Sequence, residues 1–253
     1  RRVLAADERV RARLGEHFER LRAEIPALLA DALPGTLPHL KLYASHDLAL
    51  AGLRAVCARS LDLEVVVRGA DDGLAALARG ECDLAGFHVA NALPRAAAAA
   101  AALGRWLDPR KHTLIHFVTR EQGLIARPGS RIRGVHDLAR PGVRFIHRQS
   151  RPNDPEELSV AESVAAGRAD AGFGLRADAT RHKLAFTPLA TERYFFACAK
   201  AALRGAALKA LLDALRSPEF AKRAAQLPGY DASLAGQREA LDAALTWVER
   251  ARR

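Results

Sequence analysis

A chain of 253 residues, 49% hydrophobic and 27% charged, has the apolar material for one large domain or two small lobes. Its three cysteines, Cys57, Cys82 and Cys198, are odd in number and form no Cys-x-x-Cys pair, which argues against a disulfide framework or a zinc site and for reduced, buried thiols in a cytosolic protein. The net charge of +10, supplied almost wholly by arginine, fits attraction to nucleic acid or anionic ligands and equally a solvated, arginine-rich surface.

Residues 1–31 read as one helix. Leu14, Phe18, Leu21, Ile25 and Leu28 step by 4, 3, 4 and 3, a heptad seam. Such a helix either lies on its own domain or joins two copies of the chain. It carries no signal-peptide h-region, and no apolar run in the chain reaches the roughly 18 residues of a membrane span. The sequence begins at Arg1 and contains no methionine, so the intact gene product is expected to be longer.

Pro34-Gly35 ends this helix, and strands then alternate with helices. Residues 40–44 read as a strand, followed by Ser45-His46-Asp47 and a helix to about residue 60. Residues 63–68 are a β-branched strand, 69–72 a turn leading into a helix to Arg79, and 83–88 a short apolar strand. The alanine run within 95–104 reads as helix. Strand segments at 113–120 and 122–126 flank a break. A short helix at 135–139, a strand at 143–147, a polar patch at 150–156, a helix to Ala166 and a strand at 170–174 follow. Two more strands, 185–189 and 194–199, precede a helix at 206–215. Ser217 and Pro218 then open a last helix, as cap and first helical residue, and Gly229 lies beyond it. The pattern predicts an α/β fold with a largely parallel sheet.

One helix–strand junction occurs twice. Gly80-Glu81-Cys82-Asp83 precedes Leu84-Ala85-Gly86-Phe87, and Gly167-Arg168-Ala169-Asp170 precedes Ala171-Gly172-Phe173. Each copy follows a strand with a polar end, Ser45-His46 in one case and Arg148-Gln149 in the other. A period of about 90 residues is too long for a solenoid unit and points to two similar lobes.

Taken in order, these segments resemble the type II periplasmic-binding-protein fold, in particular the "PBP-like" sensor domain of bacterial helix-turn-helix regulators, itself similar to molybdate-binding proteins. The resemblance is carried by Ala44-Ser45-His46-Asp47, residues 80–89, 120–125 and 137–142, Arg148-Gln149, residues 166–175, Glu192-Arg193-Tyr194, residues 217–220 and Gly229-Tyr230-Asp231. Residues 4–14 also resemble the linker helix that follows the winged helix-turn-helix of LysR-like regulators. The resemblance implies a linker at 1–33, a first lobe of 38–118 plus 190–236, a second lobe of 119–189 and a C-terminal helix at 237–253. It further implies a homodimer through residues 1–31, a DNA-binding module preceding Arg1, a cytoplasmic location and no membrane partner. The loop and helix that the family carries after Arg148-Gln149 are missing here, so the physical chain is expected to be longer between Gln149 and Ser159.

Ser45, His46 and Asp47 are sequence neighbours and cannot converge as a nucleophile, base and orienter, so no catalytic residue is assigned. A strand end running into a helix N-terminus holds an anion instead, or is simply capped by Ser45 or Asp47. Strand ends border the crevice of open α/β sheets. This places His88, Gly174, Arg120, Gln122, Arg148, Gln149 and Arg176 beside Ser45, with Tyr194 contacting ligand or packing the hinge. His88 meets either a ligand or a loop carbonyl. The nine histidines show no metal spacing, and no cofactor motif is present. The expected ligand is a small anion, molybdate-like or a compact carboxylate. The expected role is effector sensing in a transcription regulator. The alternatives are an exported oxyanion receptor of an ABC transporter and a cryptic transferase or hydrolase using the same cleft.

Overall fold

The computed structural model describes residues 37–90, 103–146, 159–241 and 243. The expected linker helix, its dimer seam, most of the alanine run, Arg148, Gln149 and the polar patch after them lie outside the described residues.

The first lobe begins with β1 (His39–Ala44), α1 (Leu48–Cys57), β2 (Asp62–Val67), α2 (Ala70–Arg79) and β3 (Leu84–Ala90). Strand β1 lies parallel to both β2 and β3. The chain then enters β4 (His112–Ala126) and returns much later along β7 (Ala185–Ala199), and these two 15-residue strands pair antiparallel. Between them lie β5 (Phe145–Ile146), α3 (Val160–Ala165), β6 (Ala171–Leu175) and α4 (Arg176–Arg181). After β7 come α5 (Ala206–Leu215), α6 (Pro218–Ala225), β8 (Tyr230–Asp231) and β9 (Arg238–Glu239). The sheet order is β2-β1-β3-β7-β4-β6-β5, with β8 and β9 added along β4.

Three expectations are corrected. The sheet is not largely parallel: among the described residues β1–β2, β1–β3 and β5–β6 pair parallel, while β3–β7, β4–β6, β4–β7, β4–β8 and β4–β9 pair antiparallel, because the two long crossing strands run against each other. The segments 113–120 and 122–126 are one strand, as are 185–189 and 194–199. Polar residues at their middles suggested breaks, but those residues sit where both strands cross from one lobe to the other, and the ladder continues through them. Arg238–Glu239 is a strand on β4, where a helix was expected from residue 237.

The two lobes repeat one construction. Gly80 and Gly167 both end their helical turns in the left-handed region, at φ 73°, which a residue without Cβ adopts without strain. Three residues on, the carboxylate of Asp83 accepts the Lys41 N–H at 2.8 Å, and that of Asp170 accepts the Arg144 N–H at 2.9 Å. Each aspartate thus locks its strand to the neighbouring parallel strand. The registers Leu42↔Leu84 and Phe145↔Ala171 show that Leu84 matches Ala171, so the Ala-Gly-Phe triplets are offset by one residue. Because side chains alternate across a strand, that offset puts the two triplets on opposite faces.

Strand alternation builds the first lobe in three layers. Tyr194, Phe196 and Cys198 of β7 join Leu53 of α1, Leu211 of α5 and Phe220 of α6 in one core, while Phe195 and Ala197 join Leu74 and Leu77 of α2 in the other. The register shifts between His116 and Val118, so Phe117 is an extra residue and both Phe117 and Val118 face the first core. Phe117 stacks on Phe196 at 4.7 Å and on Phe220 at 5.7 Å, and meets Tyr194 edge-on at 5.4 Å. A second shift between Gln122 and Gly123 leaves Leu189 extra on β7. The two irregularities bracket the crossover. Ser217 caps α6 by accepting the Phe220 N–H at 3.1 Å, with Pro218 at the first helical position, as the sequence indicates. All three cysteines are buried and form no disulfide, and burial pushes the Cys57 thiol to about 11 and Cys198 to about 12, so both stay protonated.

Candidate functional site

Three strand ends converge on the middle of the β4–β7 ribbon. His88 and Ala90 at the end of β3 lie opposite Tyr194 and Glu192 of β7. Leu175 at the end of β6 lies opposite Gln122 of β4. The end of β1 reaches the same region through Asp47. These carboxyl ends meet where the two long strands pass from one lobe to the other, and strand carboxyl ends are the position that open α/β sheets offer a ligand.

At this crossing is a buried ionic cluster. Asp47, wholly buried, takes an Nη1–H of Arg120 at 2.5 Å and the Tyr230 hydroxyl at 2.9 Å on Oδ2. Arg120 also donates from Nε to Glu192 Oε2 at 3.1 Å, its Nη2 forms an ion pair with the same oxygen at 3.0 Å, and it lies 5.1 Å from the centre of the Tyr194 ring. Burial opposes the Arg120 charge, but the Asp47 and Glu192 carboxylates outweigh it and hold its pKa above the ordinary guanidinium value. One cation therefore faces two carboxylates, and three N–H donors of Arg120 are engaged within the protein.

Above the cluster stand two hydroxyls. Ser45 Oγ and Tyr194 Oη are 3.1 Å apart, and Tyr194 Oη also donates to the Ser45 carbonyl at 3.1 Å. Burial pushes the Tyr194 phenol to about 12, against the lowering effect of its hydrogen bond with Ser45, so it remains a neutral donor at physiological pH. Gly86 makes this approach possible, because a Cβ there would stand 2.8 Å from both Ala44 Cβ and Tyr194 Oη.

The structure brings Ser45, Asp47, Arg120 and Tyr194 together. Asp47 is the cap of α1, accepting the Ala49 N–H at 2.8 Å, so a carboxylate already occupies the helix N-terminus considered for an anion. His88 is exposed at the crevice edge with Nε2 4.0 Å from Glu192 Oε1. His46 is exposed in the turn after β1, and Gln122 is half-buried on β4. Gly174 lies opposite Gly123. Arg176 opens α4, pairs with Glu121 and sits 5.2 Å from the centre of the Phe186 ring. Glu192 and Tyr230 complete the cluster but were not singled out from sequence. Each lies in a segment that carries the family resemblance, and the only further signal was a polar residue inside an apolar strand or beside a turn glycine. His112 and His116 serve separate ends: His112 Nδ1 accepts the Asp108 N–H, and His116 Nε2 meets Glu239 at 2.5 Å. Among the described residues no group of side chains could hold a metal ion, and no helix is long and apolar enough to cross a membrane.

The sequence model of the PBP superfamily domain matches residues 51–151 and 153–216. The chain belongs to this family. A curated relative, the uncharacterized protein YvgK of Bacillus subtilis, is 26% identical over 197 residues, which cover 67% of this chain and 63% of that protein. The chain thus spans less than two thirds of that relative's length. Among solved structures, the regulatory domain of MetR, a LysR-family regulator from N. meningitidis, superposes with a TM-score of 0.53 at 13% identity, covering 76% of this chain and 97% of that one. A structure described as a periplasmic transporter superposes with a TM-score of 0.58 at 12% identity, covering 84% and 93%. At these identities the likeness is one of fold, and that fold is the two-lobed α/β architecture of type II periplasmic binding proteins.

Proposed function

We propose that this chain is the effector-binding domain of a bacterial transcription regulator, and that a small oxyanion binds between its lobes at the Ser45–Tyr194 hydroxyl pair. The observation that carries the ligand class is the charge arrangement at the crossover. Arg120 is held behind the site by two carboxylates, while two neutral hydroxyls stand at the strand ends. The half-buried Ser45 hydroxyl can turn its proton toward a ligand oxygen, while the fully buried Tyr194 hydroxyl, bonded to the Ser45 Oγ and carbonyl, holds that residue in place. From the first lobe, His46 and His88 border the same crevice, and from the second we assign Arg148 and Gln149 by their place in the repeat. The ligand closes the lobes, and residues 1–31 pass the change to a dimer partner and to DNA-binding modules. The reading is that of a binder and not an enzyme.

The likeness to the MetR regulatory domain and three buried cysteines outside any disulfide support a cytoplasmic regulator. The likeness to a periplasmic transporter favours a second reading, an exported receptor that delivers an oxyanion to an ABC transporter. The native gene product separates the two. A regulator is expected to retain a specific DNA fragment, with affinity changed about 5- to 150-fold by the oxyanion, the usual range of allosteric coupling. Recovery of an exported, signal-processed protein that ignores DNA would establish the receptor instead.

A further inference from the structure

Outside the crevice, one stretch concentrates the chain's charge. Residues 127–144 hold Arg127, Arg131, Arg133, Arg140 and Arg144 against a single acid, Asp137, a net +4 in a chain of net +10. An arginine-rich surface without function would spread its excess, and this one is built on a fixed platform. The buried Asp137 carboxylate accepts the backbone N–H groups of Arg133 at 2.8 Å and Gly134 at 3.0 Å, and binds Arg140 Nη2 at 2.7 Å. Arg140 Nη1 in turn donates to the Arg131 carbonyl at 3.1 Å. Arg127 and Arg144 are tied to Asp170. The acid of the loop is therefore turned to internal work, while Arg131, Arg133, His136 and Arg140 stand exposed around one shallow hollow.

We infer that this loop of the second lobe docks on the phosphodiester backbone of duplex DNA. Its lining side chains are too open to enclose a small free anion, and among the described residues no carboxylate pairs with Arg131 or Arg133. Planar guanidinium groups on a braced loop match successive phosphates, each with paired donors. The inference rests on the regulator reading for the identity of the polyanion and on the loop alone for its chemistry.

Fluorescence anisotropy of a labelled random-sequence duplex, titrated with the 253-residue chain over a salt series, tests it. Each phosphate neutralised contributes about −0.9 to the slope of log affinity against log salt. Arg131→Ser with Arg133→Ser changes side chains only, so the backbone N–H that residue 133 gives to Asp137 and the hydroxyl pair both stay in place. It is expected to make the slope shallower by about 1.8 and to weaken binding about tenfold or more at about 50 mM salt. Its thermal melt and its response to molybdate should match wild type. The inference is overturned by a wild-type chain that does not bind the duplex, by an unchanged slope and affinity in the double variant, or by capture on an acidic peptide or phosphatidylserine vesicles as tight as on DNA. An intact molybdate response with no loop-dependent DNA binding would sink this inference alone. A signal-processed, exported gene product would sink the proposed function, and the slope would still report whether the loop binds phosphates.

Discussion

Arg120→Met is expected to cost about 3–5 kcal/mol of folding stability, because it leaves buried carboxylates without their cation. Asp47 is fully buried and Glu192 nearly so, with side-chain exposures of 0% and 3%. Glu192 would lose its hydrogen bond and its ion pair with Arg120, and Asp47 would keep only the Ala49 N–H and the Tyr230 hydroxyl. Methionine restores most of the volume, so the loss reports charge and not a cavity. Arg120→Lys keeps the charge without the fork that reaches both carboxylates, and should fall between the two. The control is Arg223→Ala, which removes an exposed i,i+4 pair with Glu219 and should cost about 0.5 kcal/mol or less. Urea unfolding reads all three. A midpoint for Arg120→Met within experimental error of the control would mean that the cluster is solvated or dispensable.

Gly86→Ala should both destabilise the first lobe and disable the site. The new methyl would stand 2.8 Å from Ala44 Cβ on the neighbouring strand and from Tyr194 Oη, and 3.1 Å from Tyr194 Cε1. The β1–β3 register fixes Ala44 opposite Gly86, so the tyrosine must yield. Its ring is fully buried against Phe117 and Phe196, which makes that movement costly. Overpacking of this kind costs about 1–3 kcal/mol. The sharper readout is functional, because displacing the Tyr194 hydroxyl separates it from Ser45. A variant that melts near wild type and still responds fully to ligand would show that Tyr194 has slack and that Gly86 is not its seat.

Local features of the fold were open to sequence reasoning because their causes are local. The stops at Gly80 and Gly167, the Ser217 cap with Pro218, and the Gly-x-x-Asp repeat all depend on a few adjacent residues. The long strands were misread for the opposite reason. Glu121 and Gln122, like Thr191 and Glu192, look like interruptions until Asp47 and Tyr230 are brought beside Arg120 and Glu192 by partners 72 to 183 residues distant in sequence. Of the strand-end residues the sequence singled out, Ser45, Asp47, Arg120 and Tyr194 lie together in the fold. What the sequence could not reveal was the division of labour among them. An arginine beside a crevice suggests an anion ligand, and only the geometry shows its donors engaged by Asp47 and Glu192.

The most direct test of the account is calorimetric titration of the 253-residue chain with molybdate, sulfate and phosphate, alongside Ser45→Ala and Tyr194→Phe. Tyr194→Phe keeps the ring that packs on Phe117 and removes only the hydroxyl. The account predicts one oxyanion bound per chain. Each variant should lose about 1–3 kcal/mol of binding, the cost of an unmet hydrogen bond in a buried site, with little change in melting temperature without ligand. Binding of none of the three oxyanions, or of one that both variants hold as tightly as wild type, would contradict it.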